Sequence, residues 1–204
     1  MKEISELLIA TANQGKVREI QRLLGALPIA IRTLAEFPLI KPVDESGDTY
    51  EANALLKAKA YARETGLWAL ADDSGFEVIA LGGRPGVFSA RYAGAGASDD
   101  DRISLLLQEF RDRKSDDPRA RFVCVAALAD PQNEVTLVAQ GTCEGIVVTE
   151  SRGKNGFGYD PIFVPDGFKQ TFAELSAEIK NAISHRARAI HSMRSHLEEL
   201  IGRR

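Results

Sequence analysis

Residues 6–25 read ELLIATANQGKVREIQRLLG, and this stretch decides the class of fold. ELLIATA is a compact apolar run of strand length. In the segment that follows, Val17, Ile20, Leu23 and Leu24 recur at helical spacing, and Gly25 is a natural stop. Asn13 stands where an N-cap belongs, because its side chain can accept a bond from an unpaired amide two or three residues on. The chain therefore opens as strand, tight turn, helix. A second strand is expected at PIAIRT, residues 28–33.

Reading outward, Asp48-Thr49-Tyr50-Glu51 forms a capping-box-like start to a helix of about four turns. Tyr50, Ala54, Leu55, Ala58, Tyr61 and Ala62 make its apolar face, and Gly66 ends it. WALA and FEVIAL read as two short strands around an acidic turn, DDSG. LGGRPGVFSARYAG is an ordered loop, and Ser98-Asp99-Asp100-Asp101 starts a helix with acidic residues at its positive end. ARFVCVAALAD and EVTLVAQGTCEGIVV flank DPQN as a long hairpin. RGKNGFGYDP is a Gly-rich loop before the strand IFV. From about Asn181 the chain reads as one helix, with Ile183, Ala187, Ile190, Leu197 and Ile201 on one stripe. With no repeat, low-complexity tract or linker, residues 1–204 make one α/β domain with a mixed central sheet and flanking helices.

Composition narrows the function classes. The 204 residues include 26 Lys or Arg and 29 Asp or Glu, a formal charge of −3 spread along the chain. That balance argues against a protein built to coat nucleic acid. Cys124 and Cys143 lie far apart, without the paired spacing of a zinc site or disulfide framework, and suit a reducing compartment. The N-terminal MKEISELLIATA lacks the basic start of a signal peptide, and nothing approaches a membrane span. A soluble cytoplasmic protein is expected, with no nucleic-acid or membrane partner.

Four motifs carry chemistry. In the turn Thr11-Ala12-Asn13-Gln14-Gly15-Lys16, a helix N-terminus offers free amides to a phosphate. Gly15 admits close approach there, and Lys16 brings charge. It is not a Walker A loop, which needs Gly where Ala10 stands and Ser or Thr where Val17 stands. In Asp72-Asp73-Ser74-Gly75, two adjacent carboxylates require a compensating cation or proton. Mg²⁺ suits them, and one could act as a base. Asp44-Glu45 could complete a metal shell. Phe157-Gly158-Tyr159-Asp160 lets a ring face a planar ligand while the backbone stays close. Lys180, His185 and Arg186 offer donors to carbonyl oxygens or phosphates. Taken singly, each also has a plain reading as cap, turn, core or solvated residue. His191 and His196 make no metal pair and read as surface residues.

Together the four divide a nucleoside triphosphate site into its parts: phosphate turn, metal and base, stacking ring, base-edge donors. With TANQGK, ESGDTYEANALLKAKA, ADDSG, GGRPGVFSARYAG, GFGYDPIF and ISHR in this order, the chain resembles the non-canonical purine nucleoside triphosphate pyrophosphatases, the XTP/dITP or inosine triphosphate pyrophosphatase family. The resemblance runs from about Leu8 to the last helix. It implies two lobes around a deep substrate cleft, a homodimer, and Mg²⁺-dependent hydrolysis of ITP, dITP or XTP to the monophosphate and pyrophosphate. It implies Thr11 to Lys16 on the triphosphate and Asp73 as proton acceptor and metal ligand. Ser74, Phe157 to Asp160, Lys180, His185 and Arg186 would contact substrate, with Asp44 or Glu45 on the metal. Ala52 stands where the family often has an acid before Asn53. Two rivals differ in class: a non-catalytic nucleotide or nucleic-acid binding module, and a Maf-like pyrophosphatase acting on pyrimidine nucleotides. The acidic dyad and the lack of a basic stripe weigh against the first, and ISHR with GFGYDP against the second.

Overall fold

The computed structural model describes residues 4–25, 27–132 and 136–202. Its strands are β1 (Glu6–Ile9), β2 (Ala30–Thr33), β3 (Trp68–Val78), β4 (Arg119–Ala129), β5 (Thr136–Val147) and β6 (Phe163–Pro165). They form one sheet in the order β2-β1-β3-β4-β5-β6. β1 pairs parallel with β2 and β3, and β5 pairs antiparallel with β6, so the sheet is mixed. The helices are α1 (Gln14–Leu24), α2 (Tyr50–Thr65), α3 (Asp99–Asp112), α4 (Ala177–Ile183), α5 (His185–Ser192) and α6 (Arg194–Leu200). The mixed α/β architecture is as expected. None of the described helices is long and apolar enough to cross a membrane.

The chain divides into two compact units, and β3, β4 and β5 contribute residues to both. The first holds residues 1–73, 124–141 and 186–204; the second holds 74–123 and 142–185. In the first unit the strands bury both faces by simple alternation. Leu7 and Ile9 of β1, Leu70 of β3, and Cys124, Ala126 and Leu128 of β4 pack with α1, α5 and α6. The intervening Leu8, Ala69, Ala71, Val125 and Ala127 pack with Ala54, Ala58, Tyr61 and Ala62 of α2. The second unit is built on aromatic residues: Phe76, Phe122, Phe163, Phe172 and Tyr159 share a core with Ile103, Leu106 and Phe110 of α3. Ring centroids of Phe76 and Phe122 lie 4.9 Å apart, and those of Phe122 and Phe163 5.0 Å.

Local signals place the caps as read. Asn13 accepts from the Lys16 amide, Thr49 from Ala52, and Ser98 from Asp101. Gly66 closes α2 at φ 72°, the left-handed conformation that a glycine adopts without strain. Two readings need correction. DDSG is not a turn: β3 runs unbroken through it from Trp68 to Val78, and in that extended form Asp72 and Asp73 each meet cationic partners. The C-terminal segment is three short helices rather than one from Asn181: Ser184, in extended backbone at φ −68°, ψ 159°, separates α4 from α5, and Met193 separates α5 from α6. The proposed stripe divides accordingly. Ala187, Ile190 and Leu197 join the first unit's core, while Ile183 packs in the second. Asn133 of the expected hairpin turn, with Glu134 and Val135 at the start of the expected strand that follows it, lies outside the described residues.

Candidate active site

In the first unit, the unbroken β3 turns the aspartate pair to opposite faces, and each meets its own cations. Asp72 faces α1 and α5. Its Oδ2 lies 3.1 Å from Lys16 Nζ and accepts from Arg186 Nε at 3.1 Å and Nη2 at 3.0 Å. Arg186 Nη1 also donates to Glu19, one helical turn beyond Lys16 on α1. Cys124 Sγ lies 3.8 Å from the same carboxylate oxygen. Asp72 and Arg186 are each 1 % exposed and Glu19 8 %. Burial opposes ionisation of Asp72, yet Lys16 and Arg186 hold its carboxyl far below the usual range. Burial likewise pushes the Cys124 thiol up to about 12.

Asp73 faces α2. Its Oδ2 accepts from Asn53 Nδ2 at 3.2 Å, and its Oδ1 lies 3.4 Å from Lys57 Nζ. Asn53 Oδ1 in turn accepts from the Gly47 amide at 2.8 Å, fixing the acidic loop before α2. Lys57 Nζ also lies 3.0 Å from Glu45 Oε1. Burial raises the Asp73 carboxyl above the ordinary aspartate value, opposed by Lys57 and Lys16 and reinforced by the Glu45 charge. One strand thus carries a firmly ionised carboxylate and, beside it, a more basic one. The acidic loop sorts itself as well, for Glu45 turns toward Lys57 while Asp44 is exposed. Among the described residues, no group of three or more His, Cys, Asp or Glu gathers to hold a metal with protein ligands alone. Glu45 and Asp73 do converge on one cation position.

The turn Thr11 to Lys16 opens α1. Thr11 Oγ1 accepts from the Asn13 amide at 3.2 Å, and Asn13 Oδ1 from the Lys16 amide at 3.1 Å. Ala12, Asn13 and Gln14 are exposed, Gly15 is buried, and Lys16 reaches back to Asp72.

In the second unit, Ser74 is half-buried and the two aromatic residues of the Gly-rich loop take different roles. Tyr159 belongs to the core: its ring stacks on Phe76 at 5.2 Å and its hydroxyl donates to the Ser89 carbonyl at 3.0 Å. Phe157 is the half-exposed ring, with Lys180 Nζ 5.0 Å from its centroid. Asp160 is buried; it accepts from the Phe157 amide at 2.9 Å and pairs with Lys180. Gly158 N donates to Asp99 Oδ2 at 2.6 Å, tying the loop to α3. His185 is buried, stacked on Phe122 at 4.7 Å with ring planes 10° apart.

Three of the expected site residues have partners within the protein. Tyr159 packs in the core against Phe76. Asp160 organises its own loop. Arg186, expected to meet substrate, commits its guanidinium to Asp72 and Glu19 because burying that much charge requires paired carboxylates. Sequence reading missed Asn53 and Lys57, which hold Asp73. The signal was available: both interrupt the apolar face of α2 at i, i+4 spacing, beside Ala54 and Ala58. Glu19 gave no comparable signal. His191 and His196 are exposed, as read.

A mixed sheet carrying an amide-rich helix turn, paired acids and an aromatic glycine loop defines a nucleotide-handling α/β protein. Residues 7–196 match the Ham1 family, and the chain belongs to that family. A relative from Bacillus cereus, named dITP/XTP pyrophosphatase, is 43% identical over 200 residues, covering 98% of each chain. One from Halalkalibacterium halodurans with the same name is 45% identical over 190 residues, 93% of this chain and 97% of the relative. The solved structure of a HAM1 protein from Coxiella burnetii is 43% identical with a TM-score of 0.87, covering 96% of this chain and 100% of that one. The Staphylococcus aureus Ham1 protein gives 41% and 0.83, covering 95% and 98%.

Proposed function

We propose that this chain hydrolyses non-canonical purine nucleoside triphosphates, ITP, dITP and XTP among them, to the monophosphate and pyrophosphate. The names of its relatives support that substrate class. The observation that carries the chemistry is the split aspartate pair, in which Asp72 anchors Lys16 at the phosphate turn and Asp73 stands buried with raised basicity.

In this reading Thr11 to Lys16 bind the triphosphate through helix N-terminal amides and the Lys16 ammonium. Asp73 accepts a proton from water at a carboxylate oxygen. The water oxygen forms a bond to the α-phosphorus as the bridge to the β-phosphate breaks, and pyrophosphate leaves against the Lys16 charge. Asn53 fixes the orientation of Asp73, while Arg186 and Glu19 fix Asp72. Phe157 stacks on the base. Ser74, Gly158, Tyr159, Asp160 and Lys180 shape the nucleoside end, and His185 reads the purine 6-keto oxygen. Adenine carries an amino donor at that position, which would leave a buried donor unpaired.

Glu45 and Asp73 would hold Mg²⁺, since two hard oxygens already meet at one cation position. When bound, the ion withdraws charge from the phosphate oxygens. Asp44, being exposed, takes no part in holding it. The protein would work as one functional domain over residues 1–204, as a homodimer in the cytoplasm.

The test is pyrophosphate release from ITP by the wild-type protein and by Asp73→Asn. Near-normal turnover in the variant would remove Asp73 from its role as base. A panel of ITP, XTP, GTP, UTP and dUTP tests the substrate class, and a preference for UTP or dUTP would overturn it.

A further inference from the structure

Lys57 is buried, yet it stands against two carboxylates that come from different segments. Glu45 Oε1, from the loop before α2, lies 3.0 Å from its Nζ, and Asp73 Oδ1, from β3, lies 3.4 Å away. At these distances the Lys57 ammonium is ion-paired with both carboxylates. A cation held by two oxygens in this way marks the position where a harder, doubly charged ion would also be most stable. The ammonium and such an ion cannot both sit there without strong repulsion in a partly desolvated setting.

We propose that Lys57 is the resident cation of the Glu45–Asp73 pair and must be displaced by the divalent ion that enters. This rests on the reading that the two carboxylates hold that ion. Without a triphosphate, the incoming ion takes both direct carboxylate partners from Lys57, so the free protein binds metal weakly. Substrate brings the oxygens that can receive the displaced ammonium. Metal entry is therefore coupled to nucleotide arrival, and Lys57 is the residue that couples them.

The test uses the nucleotide-free protein and Mn²⁺ alone, read by calorimetry and by thermal unfolding. Lys57→Met should bind Mn²⁺ about tenfold more tightly than wild type or more. Its lost thermal stability should return on adding Mn²⁺. Lys57→Arg, which keeps the charge, should bind as weakly as wild type. Equal Mn²⁺ affinity in wild type and Lys57→Met overturns the displacement while leaving the metal reading intact. No Mn²⁺ binding by any of the three, with or without ITP, overturns the metal reading and the proposal together. An independent readout needs no variant: in wild type, Mg²⁺ titration should move the NMR signal of the Lys57 side-chain ammonium. A signal that stays fixed while Mg²⁺ binds also overturns it.

Discussion

Replacing Arg186 with Met removes a buried cation while keeping much of the side-chain volume. The guanidinium makes two bonds to Asp72 and one to Glu19, all three residues being nearly inaccessible. Asp72 retains Lys16 at 3.1 Å, so the loss falls mainly on Glu19, whose buried carboxylate loses the cation that Arg186 supplies. Removing one partner of a buried ion pair costs about 3–5 kcal/mol. At roughly 2–4 °C per kcal/mol for a chain of this size, the melting temperature should fall by roughly 6–20 °C. Urea unfolding followed by circular dichroism measures the change as a lower midpoint at unchanged slope. Adding Glu19→Gln to Arg186→Met should recover part of the loss, because the buried carboxylate deprived of Arg186 is then gone. A loss below about 1 kcal/mol, or strict additivity of the two substitutions, would refute the account of Arg186 as the anchor of this network.

Three further outcomes follow from the geometry. Asn53→Ala removes the donor to Asp73 and the acceptor for the Gly47 amide. It should cost about 1–3 kcal/mol of stability and lower kcat more than it raises KM, checked by melting and by ITP kinetics. Gly156→Ala places a methyl group against the Asp160 carboxylate at φ 76°; stability should fall and KM should rise, with kcat less affected. The Asp72 carboxyl is held below its ordinary value, so its contribution to stability is complete above about pH 4 and is lost as pH falls below it. Asp72→Asn should therefore flatten the acid limb of a melting-temperature profile, and an unchanged limb would contradict the assignment.

Much of the fold was legible because its signals are local. Asn13, Thr49, Ser98 and Gly66 cap the helices that their positions announce. DDSG was misread because turn-forming residue types outweighed a run of partners that only tertiary structure supplies. Lys16, Arg186, Asn53 and Lys57 come from three separate helices, and no window of sequence holds them together. The same limit explains Arg186 and Tyr159. Their residue types fit a ligand site, but what they touch is set by segments far along the chain. The C-terminal helix failed as a single element because Ser184 interrupts it without a Gly or Pro to mark the break.

The alternation of β3 makes its two acids separately adjustable. Neighbours in sequence, they answer to different helices: Asp72 to α1 and α5, Asp73 to α2. A substitution on α2 acts on Asp73 through its direct partners and reaches Asp72 through the Lys57 charge, and one at Glu19 acts on the Arg186 network without touching the hydrogen bond and ion pair of Asp73. For a designer, the two carboxylates are adjacent residues with separate direct partners, linked only through the charges of Lys16 and Lys57.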